Sequence, residues 1–443
     1  MAAAKDFSRR KFLGYAATAV VVGAVGSVGG YYAGLSSIRP ATLTTTTVTQ
    51  TITSTITVPP PPESAPSHIL VGASIPLSGP LASLGFEMKT GFEIVIDEIN
   101  AAGGVYLARY RKKIPLKLII YDSKSDPAVS ASNIERLILE DKVVATFGGV
   151  SSSLALADAA AAEKHKKIYM CTMASTISLD KAPYKYVFVL FVSIVDMSKI
   201  IYKTLETFPP DERPKRVALW EEDSALGKEL ADADEEHCKQ YGYTVVLREK
   251  YAPGTKDFTS LILKTKAARA DMVSAIPTTT DGITMIKQSK ELGFAPRLWV
   301  LHRASDPIGW IEALGKDGNY VMTAHSWSVG YVGKTYKSDF IFQEFVKRAG
   351  KEPASNAPGT TYSMVRTFVD AIQRANHLDS EEIRMALWDT DLFTPMGPIK
   401  FNENRRAAGW PSLDQWQDGK KVTVYPIELA TGKLKFAPPW EER

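Results

Sequence analysis

From His68 onward, short apolar runs alternate with segments patterned as helices, and this alternation constrains the chain more than any single motif does. The runs fall at 69–76, 116–121, 143–147, 168–171, 186–191, 216–220, 244–248, 272–276, 298–301 and 320–323. Each has the length of a strand, and helical periodicity fits most of the gaps between them. A strand followed by a helical crossover returns to the same end of its sheet, so the next strand runs parallel, with helices on both faces. Ten such runs suit two doubly wound lobes better than one sheet. The expected fold class is α/β, with two doubly wound parallel-sheet lobes. Segment 338–388 is mostly helical in pattern, and 393–436 returns to strands and turns.

The first unit shows the pattern most clearly. After the run at 69–76, Ser78-Gly79-Pro80 reads as a turn and a helix follows as far as Gly103-Gly104. Proline suits a first helical turn and glycine a helix end. Met88, Phe92, Val95, Ile96 and Ile99 recur at helical spacing, with Lys89, Glu93, Asp97 and Glu98 opposite.

Composition excludes several function classes. The 443 residues carry a net charge of only +4, and no basic stripe with interleaved aromatics is present, so nucleic acid is not an expected partner. Cys171 falls in a buried run and Cys238 in a helical one, which favours two structural thiols over a disulfide. Gly333-Lys334-Thr335 looks like the end of a phosphate loop, but Ser328 stands where its first glycine belongs. Gly149-Val150-Ser151 fails as a nucleophile elbow because Ser153 replaces the second glycine. The six histidines are scattered without metal-ligand spacing. No catalytic set, metal or cofactor is expected, and the chain does not read as an enzyme.

The N-terminus reads as an address. Ser8-Arg9-Arg10-Lys11-Phe12-Leu13 resembles a twin-arginine export signal, and the uncharged run from Phe12 to Ser37 is just long enough to span a bilayer. Neither a lipobox cysteine nor a clear cleavage site follows, so 1–37 is a signal peptide or a membrane anchor. Residues 38–67 form a Thr/Pro-rich linker that cannot bury a core. These features point to an extracytoplasmic protein, periplasmic or at the cell surface, exported by the twin-arginine route and tethered to the membrane if uncleaved.

Two strand ends are rich in hydroxyls. The run at 143–147 leads into Gly148-Gly149, then Ser151, Ser152 and Ser153 and a helix. The run at 168–171 leads into Thr172-Met173-Ala174-Ser175-Thr176. Ligands of open parallel sheets bind beyond the carboxyl ends of the strands. Serines at a helix start set hydroxyls beside free amides and the positive end of the helix dipole. Two neighbouring loops of this kind can hold a carboxylate without an arginine.

The opening segment, Gly148 to Ser153, Met173 to Thr176, Asp223-Ser224-Ala225-Leu226-Gly227, and Gln415-Trp416-Gln417-Asp418-Gly419-Lys420 occur in an order that resembles the type I periplasmic solute-binding proteins of branched-chain amino acid ABC transporters. The Thr/Pro stalk is similar to that of archaeal extracytoplasmic forms. The resemblance implies a three-segment hinge, with lobe 1 at 68–192 plus 323–398 and lobe 2 at 193–322 plus 399–443. It implies a small carboxylate-bearing solute, an amino acid or related compound, and an ABC permease and ATPase complex as partner. A ligand-sensing ectodomain of the same fold is the alternative.

By the same resemblance, Ser152 or Ser153, the Ala174 amide and Thr176 would hold the ligand carboxylate, with Ser78 and Ser175 beside them. The ammonium half departs from the family pattern: Leu226 replaces a tyrosine, His302-Arg303 stands where an acid is expected, and Leu84 replaces a tryptophan. Glu221, Glu222 or Asp223 is then left to supply an anion. Thr278 and Thr279 could add hydroxyls from lobe 2, and Trp327 lies near a crossover. These departures argue against an ordinary branched-chain amino acid as the solute.

Overall fold

The computed structural model describes residues 64–443, so the segment read as a signal or anchor and most of the linker lie outside it. Among the described residues, no helix is long and apolar enough to cross a membrane.

Two main sheets form. The first holds five parallel strands in the spatial order Leu116–Asp122, Ile69–Ile75, Ala145–Gly148, Ile168–Cys171, Val187–Val189. Numbered along the chain within that sheet, the order is 2-1-3-4-5. The parallel part of the second sheet repeats it, with Thr244–Tyr251, Arg216–Glu222, Met272–Ala275, Leu298–Leu301 and Val321–His325 side by side. An antiparallel hairpin, Ser412–Gln417 and Lys420–Tyr425, extends this sheet beyond Val321–His325. In a 2-1-3-4-5 sheet, the connections leave in opposite directions on either side of the gap between the first and third strands, and that gap opens a crevice at the carboxyl ends.

Helix Ala82–Ala101 buries Met88, Phe92, Val95, Ile96 and Ile99 against the first sheet and against helix Ala357–Ala375. Phe147 joins the layers, with ring centroids 5.7 Å from Phe92 and 5.5 Å from Phe368. In the second sheet, Trp299 packs edge-on against Trp220 and Phe294, both at 5.8 Å. Cys171 and Cys238 are free, buried thiols that burial pushes up to about 12, so they stay protonated.

The chain crosses between the sheets three times. Val192 N–H donates to Ser326 Oγ at 2.7 Å, joining the first two crossovers. The boundaries differ from those expected. Residue 323 falls inside strand Val321–His325, which pairs with second-sheet strands on both sides. Residues after 398 stay with the first sheet as far as Arg406, which forms a bridge to Val189. Strand pairing sets these switch points, and pairing partners are remote in sequence.

Candidate functional site

The crevices of the two sheets face one cavity of about 180 Å³. The first sheet contributes Leu81 and Leu84, beyond its first strand, and Val150, Ser151, Ser152 and Ser153, beyond its third. The second sheet contributes Leu226, beyond its first strand, and Ile276, beyond its third. Met173, Ser175, Phe191, Met197, Arg303, Asp306 and Asn356 complete the lining.

The hydroxyl-rich end is built by helix Ser152–Lys164. Gly149 takes a left-handed φ of 81°, and a Cβ there would lie 2.7 Å from the Cys171 Cβ, so only glycine turns the strand into this helix. Ser151 is the N-cap and accepts from the Leu154 amide. The Ser152 and Ser153 amides, in the first turn, have no partner within the helix. Ser152 Oγ accepts weakly from Thr176 N–H at 3.4 Å, tying the two loops together.

The loop after Ile168–Cys171 is held from below by Arg406, which is buried. Its guanidinium pairs with Asp180 at 2.8 Å and donates to the carbonyls of Ala174, Phe191 and Thr176 at 2.8–3.0 Å. This arginine organises the loop without touching the cavity.

Several expected contacts fall elsewhere. Thr176 does not line the cavity; its hydroxyl donates to Glu229 at 2.9 Å. Ala174 is buried with its carbonyl taken by Arg406, while its amide, the group expected to meet the carboxylate, donates no hydrogen bond among the described residues. Ser78 is exposed and donates to Asp122 at 2.7 Å, because the turn that carries it folds back on the neighbouring strand end. Glu221 accepts from Arg248 at 2.8 Å, exposed Asp223 lies 3.4 Å from Lys250, and neither lines the cavity. His302 is fully buried, accepts from the Ala324 amide, and is held neutral by burial, its pKa lowered to about 3. Trp327 is packed on Gly359, where a Cβ would sit 2.2 Å from its ring, and donates to Ser338 at 2.9 Å. It borders a crevice of about 10 Å³ that Asn356 also lines. Thr279 lines a neighbouring space of about 160 Å³ that shares Leu81, Leu84 and Arg303 with the main cavity. Ser152, Ser153, Ser175, Leu84, Leu226 and Arg303 do come together.

Arg303 has a left-handed φ of 64°, uncommon for a residue with a Cβ. Its guanidinium donates to Glu222 and to the Ile276 carbonyl, both at 2.6 Å, and to the Pro277 carbonyl at 3.2 Å. Glu222 therefore balances the arginine.

The sequence reading missed Asp306 and Asn356. Asp306 comes three residues after Arg303, just before Pro307, so a search confined to His302-Arg303 stops short of it. Burial raises its pKa to about 6. Asn356 reaches the cavity from the start of helix Ala357–Ala375, far along the chain, with no local signal.

Comparison with known proteins agrees with this architecture. Leu/Ile/Val-binding protein homolog 7 of Brucella abortus (strain 2308) is 28% identical over 401 residues, spanning 84% of this chain and 95% of that protein. Among solved structures, the branched-chain amino acid transporter substrate binding protein LivJ from Streptococcus pneumoniae, in complex with isoleucine, superposes with a TM-score of 0.69 at 22% identity, covering 80% of this chain and 97% of that one. A solute binding protein of an ABC transporter from Rhodopseudomonas palustris BisB5, in complex with 3,4-dihydroxybenzoic acid, gives 0.68 at 20% identity, covering 85% and 100%. The family described as periplasmic binding protein matches residues 68–418, nearly all of the folded part. With two like-ordered sheets facing one cavity and that match across both, this chain belongs to the periplasmic binding protein family.

Proposed function

We propose that this chain is the extracytoplasmic solute-binding component of an ABC importer, and that it captures a small carboxylate-bearing solute between two lobes closing about the crossovers. The observation that carries this reading is the cavity at both switch points, with Ser152 and Ser153 at a helix start on one side and Arg303 on the other. A carboxylate at the helix start would meet free amides, hydroxyls and the positive dipole end. The walls are apolar, from Leu84, Met173, Phe191, Met197, Leu226 and Ile276. They suit the body of an aliphatic or an aromatic acid, the two kinds bound in the Streptococcus and Rhodopseudomonas structures.

The lobes of this reading have the first and second sheets as their cores, and an ABC permease and ATPase complex is the partner. Twin-arginine export, a membrane tether and an archaeal type of stalk rest on residues 1–67 of the sequence.

Mass spectrometry of small molecules released from the purified protein, followed by calorimetry with the acids found, tests the reading. A stoichiometric small carboxylate is the expected result. Absence of any released acid, with no heat of binding across a panel of aliphatic and aromatic carboxylates, would overturn it.

A further inference from the structure

The crevice of about 10 Å³ beside the second crossover is walled from three sides. Ser328 belongs to the crossover itself. Asn356 precedes helix Ala357–Ala375, which packs on helix Ala82–Ala101 of the first sheet. His325, Asp414 and Lys421 come from second-sheet strands. Asn356 and His325 are each only 2% exposed, and they are bonded to each other, Asn356 Nδ2 donating to His325 Nδ1 at 3.0 Å. Each keeps a second polar atom, Asn356 Oδ1 and His325 Nε2, that is buried without a hydrogen-bond partner. Burial lowers the His325 pKa to about 3, so the ring is neutral and carries one N–H. Because Nδ1 accepts from Asn356, that proton sits on Nε2. Nε2 lies 3.2 Å from Asp306 Oδ1 and 3.9 Å from Asp414 Oδ2, but is aligned with neither for a hydrogen bond. One orphan is thus a donor and the other an acceptor.

We infer that this crevice is the site of one internal water, which accepts from His325 Nε2–H, donates to Asn356 Oδ1, and so joins the two halves of the molecule at the second crossover. The inference does not depend on what the main cavity binds. Buried polar atoms without partners are costly, and natural structures leave few of them. A water needs roughly 10–15 Å³ of room and about two to four polar partners. The crevice meets the lower bound for room, and the two orphans are the opposite partners that a water satisfies together. Asp414, which accepts from Ser328 at 2.9 Å and from Thr423 at 2.8 Å, offers its carboxylate to the second O–H. Charge disfavours other occupants. Lys421 Nζ, donating to the carbonyls of Asp306 at 2.8 Å and Ala354 at 2.7 Å, sets an ammonium in the wall against a cation. The Asp414 carboxylate does the same against an anion. A water-mediated bond is enthalpically nearly as good as a direct one, so the bridge fastens the crossover without direct contact between these groups.

A crystal structure of the wild type, at a resolution that shows ordered waters, tests this directly. The expected result is one water within hydrogen-bond distance of both Asn356 Oδ1 and His325 Nε2. A crevice without density, or either atom bonded to a protein group instead, would overturn the site. So would an anomalous peak there in crystals soaked with rubidium chloride, which would assign the crevice to a cation. In solution, oxygen-17 relaxation dispersion counts long-lived internal waters. Asn356→Leu and His325→Leu each replace one partner by an apolar side chain, and thermal melts check that the variants fold. The count should fall by one water in at least one of them. A count unchanged in both would overturn the inference. The wild-type crystal structure decides the matter even where a variant does not fold.

Discussion

Thr176 Oγ1 donates to Glu229 Oε1 at 2.9 Å, across the space between the two sheets. Thr176 lies in the loop beyond first-sheet strand Ile168–Cys171, and Glu229 lies on helix Ala225–Tyr241, which packs on the second sheet. The same carboxylate accepts from Ile177 N–H at 3.0 Å and Ser178 Oγ at 2.8 Å. Three donors from one loop converge on one side chain. Thr176 is thus a contact between the halves of the molecule, not a wall of the cavity. Glu229→Ala strands these donors and should lower the unfolding free energy by about 1–3 kcal/mol in urea titrations. It should also weaken solute binding, because the two halves lose a fastening. Thr176→Val should cost only about 1 kcal/mol of stability. The opposite pattern, a large affinity loss in Thr176→Val with none in Glu229→Ala, would return Thr176 to the ligand.

Arg406 holds the same loop from beneath, through Asp180 and three carbonyls. Arg406→Leu removes one partner of a buried ion pair and leaves Asp180 uncompensated. A stability loss of about 3–5 kcal/mol is expected by chemical denaturation. A loss below about 1 kcal/mol would mean that water replaces the guanidinium.

Ser152 and Ser153 offer the hydroxyls nearest the free helix amides. Changing both to alanine should weaken binding of the released acid by about a hundredfold or more, since each lost hydrogen bond to a charged group is worth about 1.5–3 kcal/mol. Ser151→Ala, at the N-cap, should instead cost about 1 kcal/mol of stability. Calorimetry and melting curves on the same variants separate the two roles.

Asp158 gives a pH dependence. It is fully buried on helix Ser152–Lys164, with Tyr169 Oη donating to Oδ2 at 3.1 Å and Oδ1 unpartnered. Burial raises its pKa from 3.8 to about 7. Between those values the native state keeps a proton that the unfolded chain has lost, so stability falls as pH rises across the window. Asp158→Asn should flatten that fall and leave the variant more stable than the wild type above about pH 8, by up to about 1.4 kcal/mol per unit of displacement. Parallel denaturation curves at every pH would exclude the assignment.

Gly85 and Gly227 open the first helices beyond the first strand of each sheet. A Cβ would lie 1.7 Å from the Pro76 carbonyl oxygen in one case and 2.1 Å from that of Glu222 in the other. Both obstacles are backbone, so neither can yield locally. Alanine at either position should cost more than about 2 kcal/mol and shift Leu84 or Leu226 in the cavity wall. A thermal melt coincident with the wild type would contradict this tight helix-to-strand approach.

Much of the architecture was legible locally. Apolar runs of strand length, the helical face of Met88 to Ile99, and the glycine–serine turn at Gly149 each depend on residues close in sequence. Backbone sterics and burial periodicity act over that range, so they determine strands, helices and the α/β class. The partners of polar side chains are another matter. Thr176 and Glu229 are 53 residues apart, His325 and Asn356 are 31, and Thr176 and Arg406 are 230. The family resemblance placed Glu221, Asp223 and His302 near the ligand, and a predicted crossover placed Trp327 there. The packed structure gives Glu221 to Arg248, leaves Asp223 beside Lys250, buries His302, and packs Trp327 on Gly359. It brings Asp306 and Asn356 to the cavity in their place. The sequence by itself determined the α/β class, two doubly wound lobes and the hydroxyl-rich strand ends, because those features follow from local chemistry. Which charges face the solute was decided only by tertiary structure, because a hydrogen bond or ion pair is set by the approach of groups that the chain keeps far apart until it folds.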